Sequence, residues 1–89
     1  MVTAVIYFDT TDPEGFVGAL GMTGGLFEGV AGFNGFNVQR GVEDPNRFLL
    51  TADWNSVADH ETWQEAHVEE FLGELNPHLA NLPEIKHFE

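Results

Sequence analysis

The sequence predicts an α+β fold in which one four-stranded antiparallel sheet carries two helices on a single face. Three observations lead to this prediction. Two strand-type segments are each followed by a helical segment, the second and third strands are joined by a short turn, and a last strand follows the second helix. This order contains two crossovers and one hairpin, which is the ferredoxin-like βαββαβ arrangement. The 89 residues suit a single domain spanning residues 1–89.

The first strand is predicted over residues 2–8, where β-branched and aromatic residues dominate. Both of its faces are largely apolar, which is typical of a strand covered on two sides. The first helix is predicted from Pro13, with Asp12 as its cap, to about Val30, with a stop at Gly32. Six glycines fall in or near this segment, so the helix is expected to have low intrinsic stability. The stretch "GMTGG" is compatible with a kink, a close approach to a partner, or room left for a ligand.

A hairpin follows, predicted from residues 32–41, a turn at "VEDPN" and a third strand over residues 47–54. Side chains alternate along the third strand, so Leu50 and Trp54 share one face and Asp53 lies on the other.

The second helix is predicted to begin after the cap Ser56, with Asp59 completing a capping-box pattern. It should end before Pro77, because a proline pushes the preceding residue out of helical geometry. A short turn at "PHLANL" and a fourth strand over residues 83–89 complete the domain.

Two helices on one face leave the other face of this sheet uncovered, although the first strand is apolar on both sides. A second copy of the chain would supply the missing cover. We therefore expect a homodimer built sheet against sheet.

The charge of the chain is strongly one-sided, with 15 acidic and three basic residues and a formal net charge of -12. This charge excludes nucleic acid and anionic membranes as expected partners. Because the chain has no cysteine, disulfides, thiolate zinc sites and cysteine nucleophiles are excluded. The sequence shows neither a secretory leader pattern nor a long apolar run, so a soluble cytoplasmic protein is the expectation.

The segment "NRFLLTADWNSVADHETWQEAH" concentrates the residues able to carry chemistry, since it holds both tryptophans and two of the four histidines. Trp54 is expected to anchor the core and also to wall a pocket for a flat aromatic ligand. On the helix, Trp63 neighbours both His60 and His67. For His60 we favour a surface histidine paired with a glutamate, whereas His67 is equally compatible with that role and with a proton acceptor.

Several other kinds of site are not expected. The histidine spacing does not match HExxH, so no metal site is predicted. The glycines form neither a dinucleotide nor a phosphate loop, and no GxSxG motif is present. The Tyr7 hydroxyl could form a hydrogen bond with a ligand in the cleft between sheet and helices, or could lie at the surface.

The chain resembles the antibiotic biosynthesis monooxygenase family of the dimeric α/β-barrel superfamily. The features that carry the resemblance are "GFNGFNVQRG", "RFLLTADWNS", a helix with an aromatic residue and "AHVEEF", and "LNPHLANLPEIKHFE". The resemblance implies a dimer whose sheets meet in a barrel, with a cleft between sheet and helices in each protomer. Some members oxidise phenolic or anthrone-like polyketides to quinones with dioxygen, without metal or flavin. It also places His67 and Trp54 at common family positions.

From the residues and the resemblance together, His67 and Trp54 are predicted to be catalytic. Tyr7, Trp63, Leu50 and Phe27 are predicted to contact the substrate, with molecular oxygen as co-substrate and no cofactor. Two departures keep alternatives open. Leu50 stands where quinone-forming members often have asparagine, which favours a non-catalytic binding protein of the same fold. The first strand lacks the asparagine of haem-degrading members, so haem binding is ranked last.

Overall fold

The computed structural model describes residues 1–89, and its four strands form one antiparallel sheet. The strands are β1 (Val2–Asp9), β2 (Phe33–Arg40), β3 (Arg47–Trp54) and β4 (Glu84–Phe88). They lie in the order β2-β3-β1-β4, and every neighbouring pair is antiparallel. The helices are α1 (Pro13–Met22) and α2 (Val57–Leu75). The predicted ferredoxin-like arrangement is therefore confirmed.

The core lies between the sheet and the two helices. Alternation along the strands puts Ile6 of β1 beside Leu50 of β3 on one side and Ile85 of β4 on the other. The helices cover this face with Phe16 and Ala19 of α1 and with Trp63, Phe71 and Leu75 of α2, all of them buried. A single cluster of 13 buried apolar residues results, and it is this cluster that places the candidate site.

The first helix is shorter than predicted, because it ends at Met22 rather than near Val30. Asp12 caps its start as expected, accepting a hydrogen bond from the Gly15 amide at 3.2 Å. At the other end the Thr23 hydroxyl donates to the Leu20 carbonyl at 2.7 Å. Two glycines follow directly, so the chain leaves the α-helix and forms a separate 3₁₀ helix, Gly24–Phe27.

The second helix is continuous and carries most of the candidate residues. Its first turn is capped by Ser56, whose hydroxyl accepts from the Asp59 amide at 3.2 Å. After Leu75 the chain forms the short 3₁₀ helix Asn76–His78, so α2 ends before Pro77 as predicted. The predicted reason was wrong, because Asn76 keeps helical angles (φ -51°, ψ -39°). The last strand covers Glu84–Phe88, slightly less than the predicted 83–89.

Gly32 joins the glycine-rich segment to β2 and has a positive φ of 82°. A β-carbon there would run into the Asp59 carboxylate at the start of α2. The Asn55 amide donates to the Gly32 carbonyl at 2.8 Å. The contact with Asp59 and the left-handed backbone both require glycine at position 32. The hydrogen bond from Asn55 holds the start of β2 against the end of β3.

The outer face of the sheet has no helix on it. Val5 and Leu49 are half-buried there, and Tyr7 and Phe88 are exposed. Asp53 lies on this face as predicted, accepting a hydrogen bond from the Thr3 hydroxyl at 2.8 Å. Neither helix of the structure is long and apolar enough to cross a membrane.

Candidate functional site

Six rings meet between the sheet and α2, and we call them the ring cluster. They are Phe27, Phe33, Trp54, His60, Trp63 and Phe71. They come from four elements: the 3₁₀ helix Gly24–Phe27, β2, the end of β3 and α2. Such rings prefer offset-stacked or edge-to-face contacts. The cluster includes three of the six residues singled out in the sequence: Trp54, Trp63 and Phe27.

Trp54 lies at the centre of the ring cluster and is fully buried, with 0% of its surface exposed. Its ring stacks on His60 at 5.0 Å and meets the edge of Phe33 at 5.2 Å. Its indole Nε1 is buried and has no hydrogen-bond partner. Leaving a buried donor unpaired costs about 1–3 kcal/mol. Trp54 is therefore the core anchor that the sequence predicted, and it also holds an unused donor inside an apolar site.

Trp63 differs from Trp54 because its indole N–H is satisfied. Its Nε1 donates to the Leu26 carbonyl at 3.0 Å, which ties α2 to the 3₁₀ helix Gly24–Phe27. The Phe27 ring lies flat on the indole, with centroids 4.6 Å apart and planes 13° apart. Phe27 thus occupies the stacking surface that Trp63 would otherwise offer to a planar ligand.

His60 is buried, with 2% of its surface exposed, so its sequence-based assignment as a surface histidine paired with a glutamate is wrong. Its Nδ1 is joined to Nε2 of His87 on β4 by a hydrogen bond of 2.7 Å. Burial, and secondly the neighbouring His87, lower the pKa of His60 to about 4. The ring is therefore neutral at physiological pH.

A narrow cavity of about 20 Å³ lies beside the ring cluster, with Ile6, Phe8, His60, Trp63 and Gln64 in its lining. That volume suits about one water molecule, whereas pockets for small molecules commonly hold roughly 300–1,000 Å³. The pocket for a flat compound that the sequence predicted is therefore closed in this conformation, because the rings pack against one another. A planar ligand has to displace a ring in order to enter.

The remaining predicted residues lie in three different places. Leu50 is buried on the helix-covered face, between Ile6 and Val38 of the neighbouring strands. His67 is half-buried on α2, with its ring 5.9 Å from that of Trp63. Tyr7 is on the outer face, because strand alternation separates it from Ile6 and Phe8. It is 39% exposed, and the Arg47 guanidinium lies 4.6 Å from its ring. The structure does not bring Tyr7 to the ring cluster.

Two larger depressions lie on the surface of the protein. One of about 280 Å³ lies at the hairpin end of the sheet and includes Tyr7, Arg40 and Arg47 in its lining. The other, of about 260 Å³, lies near the chain ends and includes His87 and Glu89. No group of three or more His, Cys, Asp or Glu side chains is arranged to hold a metal ion.

The His60–His87 pair was missed in the sequence because 26 residues separate its members. The pairing of β4 with β1 brings them together, placing His87 opposite Ala4 on the edge of the sheet. One sequence signal was available. His87 is two residues from Ile85 and therefore shares its face of the strand, and the apolar side chain of Ile85 predicts that this is the helix-covered face.

Comparison with known proteins places this geometry in context. A sequence model described as antibiotic biosynthesis monooxygenase matches residues 1–72. Two similar solved structures are provisionally described as enzymes of this kind. The one from Bordetella bronchiseptica has 21% identity and a TM-score of 0.91 over 99% of this chain and 94% of that one. The one from Nitrosomonas europaea has 20% identity and a TM-score of 0.85 over 100% of this chain and 97% of that one.

A third similar structure is SnoaB from Streptomyces nogalater, described as a cofactor-independent oxygenase. It is 19% identical, with a TM-score of 0.86 over 99% of this chain and 90% of that one. At these identities the three structures establish the fold. No curated protein sequence matches the chain.

Proposed function

Because the chain belongs to the antibiotic biosynthesis monooxygenase family, we propose that it is a small monooxygenase. In this proposal it oxidises a flat phenolic or anthrone-like compound with dioxygen at the ring cluster, without a bound cofactor. The description of SnoaB as a cofactor-independent oxygenase supports the last point.

The observation that carries the proposal is the unpaired indole N–H of Trp54. This donor is buried among apolar rings and has no acceptor in the protein. A carbonyl or phenolate oxygen of a ligand would accept this hydrogen bond and remove the cost of the unpaired group. Rings around that donor favour a planar, aromatic ligand, and the donor itself favours one with an oxygen atom.

The chemistry requires little of the protein. Removal of a proton from the activated carbon of an anthrone leaves a carbanion that can give an electron to dioxygen. Overall, a CH₂ group and one O₂ become a carbonyl group and one water. The protein has to bind the compound, take the proton and exclude water from the reacting carbon. In this scheme Trp54 binds and orients the oxygen of the substrate, and His67 beside Trp63 accepts the proton whose loss forms the carbanion.

Entry of the ligand requires a movement, and Phe27 is the ring best placed to make it. Phe27 belongs to a 3₁₀ helix of four residues. Gly24 and Gly25 begin that helix and Gly29 follows it, so this stretch has few side chains to restrain it. A planar ligand replacing Phe27 would stack on Trp63 in the same way. Binding would thus exchange one aromatic contact for another.

Oxygen uptake with 1,8-dihydroxyanthrone as the probe tests the proposal. Metal-stripped protein should consume one O₂ for each quinone formed, faster than the uncatalysed reaction. Trp54→Phe keeps the ring and removes the donor, and His67→Ala removes the proton acceptor. Each should lower turnover by about ten-fold or more. His78→Gln, a histidine substitution outside the site, serves as the matched control. Unchanged uptake in both site variants would reject the roles given to Trp54 and His67.

The closed cavity favours a second candidate, a dimeric binding protein of the same fold without catalysis. Leu50, buried and apolar, offers no polar group to a reacting oxygen. This candidate predicts that the anthrone binds and quenches tryptophan fluorescence while oxygen uptake stays at the uncatalysed rate. The monooxygenase predicts both signals together.

We further propose that the protein works as a homodimer joined through the outer faces of its sheets. The support is the composition of that face, which carries the apolar side chains Val5 and Leu49 together with the exposed rings of Tyr7 and Phe88. Burying such a face on a second copy is the usual way for a domain of this size to increase its buried apolar area.

A further inference from the structure

We propose that His60 and His87 form a proton relay that carries a proton from a ligand in the ring cluster to the surface of the protein. The inference rests on the proposed oxidation, in which the reacting carbon loses two protons in turn inside an apolar site. His67 accepts the first, and the relay carries the second, which is released as the peroxide formed with dioxygen becomes the carbonyl. It concerns two residues that were not predicted to be catalytic, and it supplies the route by which the second proton leaves the site.

The inner end of the relay is His60. Its side chain lines the narrow cavity beside Trp63, and its ring stacks on Trp54 at 5.0 Å. A ligand held by the Trp54 indole N–H would therefore lie next to the imidazole. His67, by comparison, contacts Trp63 and is absent from the lining of this cavity.

The outer end is His87. It is exposed, and it lines the surface depression that also contains Val2, Val57 and Glu89. The 2.7 Å bond from His60 Nδ1 to His87 Nε2 therefore joins a buried ring to one in contact with water. Pairing of His87 with Ala4 in the sheet fixes its position at this edge, so the connection is built into the fold.

The electrostatic setting suits a proton carrier. β3 contacts His60 through Trp54, α2 through Trp63, and β4 through His87. Of these neighbours only His87 is titratable, and no carboxylate contributes to the shift of the His60 pKa. Burial and His87 both lower the pKa of His60, which keeps the ring neutral. A neutral ring can accept a proton, and its low pKa favours passing that proton on.

The relay moves one proton by an exchange of hydrogen bonds along the pair. In the resting pair, Nδ1–H of His60 donates to Nε2 of His87. The ligand gives its proton to Nε2 of His60, and the Nδ1 proton of His60 moves to Nε2 of His87. His87 then releases the proton on its own Nδ1 to water. The pair is left with its tautomers reversed, and reversal of the same exchange resets it. As the ligand loses this proton, the O–O bond of the peroxide breaks and hydroxide leaves. The proton that the reset returns to the site converts this hydroxide to water, so no net charge stays there.

Two measurements test the relay, and the first needs no ligand. Long-range ¹H–¹⁵N spectra of the histidine rings should show His60 as the neutral Nδ1–H form at pH 7, hydrogen-bonded to His87. A charged His60, or a His60 ring without a bond to His87, would overturn the proposal.

The second measurement is oxygen uptake with 1,8-dihydroxyanthrone. His60→Gln and His87→Gln should each lower turnover by about ten-fold or more. Imidazole added to the buffer should restore the rate of His87→Gln, because a small base can collect the proton at the surface. A merely structural role for His87 would not allow this rescue. His78→Gln is the matched control and should keep the unmodified rate.

The outcomes separate the relay from the function on which it rests. Normal rates in His60→Gln and His87→Gln, with uptake lost in His67→Ala, would overturn the relay and leave the oxidation standing. No uptake by the unmodified protein, despite binding of the anthrone, would overturn the oxidation itself. Loss of uptake in His87→Gln without imidazole rescue would assign His87 a structural role and reject the relay.

Discussion

Lowering the pH should weaken the folded protein through His60, and the size of the effect follows from its surroundings. The ring is buried against Trp54, and its pKa is lowered from 6.5 to about 4. In the unfolded chain His60 takes up a proton below about pH 6.5. Between these two pH values the unfolded state holds the extra proton, so stability falls as the pH falls.

The loss of unfolding free energy between pH 6.5 and about 4 amounts to about 3 kcal/mol, at 1.36 kcal/mol per pKa unit. The full stabilisation from the neutral ring is present above pH 6.5 and is lost as the pH falls through about 4. Because the 15 acidic residues also titrate in this range, the pH dependence of the unmodified protein alone does not isolate His60. Comparison with His60→Gln does, since both proteins carry the same carboxylates.

The assay is urea unfolding followed by tryptophan fluorescence, at fixed protein concentration and at steps from pH 7.5 to pH 4.5. The difference in unfolding free energy between the unmodified protein and His60→Gln should shrink by about 2–3 kcal/mol over this range. A difference that stays constant would show that His60 does not change protonation between the folded and unfolded states. Burial of the ring would then not be what sets its protonation.

Three further predictions concern the fold, the closed pocket and the dimer. Gly32→Ala should lower the unfolding free energy by about 1–3 kcal/mol, because Gly32 has a positive φ and an added β-carbon would run into Asp59. Gly18→Ala, on the open face of α1, should instead raise the unfolding free energy by about 0.5–1 kcal/mol. Equal effects in urea unfolding would reject that explanation. Phe27→Ala should lower the unfolding free energy by about 3 kcal/mol. The same variant should bind 1,8-dihydroxyanthrone more tightly in a fluorescence titration. Weaker binding would show that Phe27 is not the displaced ring. Leu49→Glu on the outer face should give a folded monomer in light scattering where the unmodified protein is a dimer, and an unmodified protein that is monomeric at micromolar concentration would refute the sheet-to-sheet homodimer.

Much of the fold could be predicted because it depends on local patterns. The third strand was predicted over the residues it occupies, since alternation of apolar residues from Phe48 to Trp54 defines a strand with one buried face. The length of α1 could not be predicted in the same way. Helix-ending geometry at Thr23 depends on a side-chain hydrogen bond to Leu20, and the glycines that follow permit several backbone paths.

The candidate site was predictable only in part. Trp54 and Trp63 were expected to lie together, because a strand end and the helix that follows it are close in space. Long-range packing determined the rest. The partner of His60 depends on the register of β4 against β1. The closing of the pocket depends on where the chain after α1 places Phe27, and no local pattern encodes that position.

The most direct test of the account uses the two indole N–H signals in ¹H–¹⁵N spectra, because the chain has only two tryptophans. Adding 1,8-dihydroxyanthrone without oxygen should shift the Trp54 signal downfield as its free donor gains an acceptor. Displacement of Phe27 would also move the 3₁₀ helix whose Leu26 carbonyl accepts the hydrogen bond from Trp63. The Trp63 signal should therefore change as well, but less than the Trp54 signal. A Trp54 signal that stays in place while the anthrone is bound would show that the buried indole is a packing residue and that the ligand binds elsewhere.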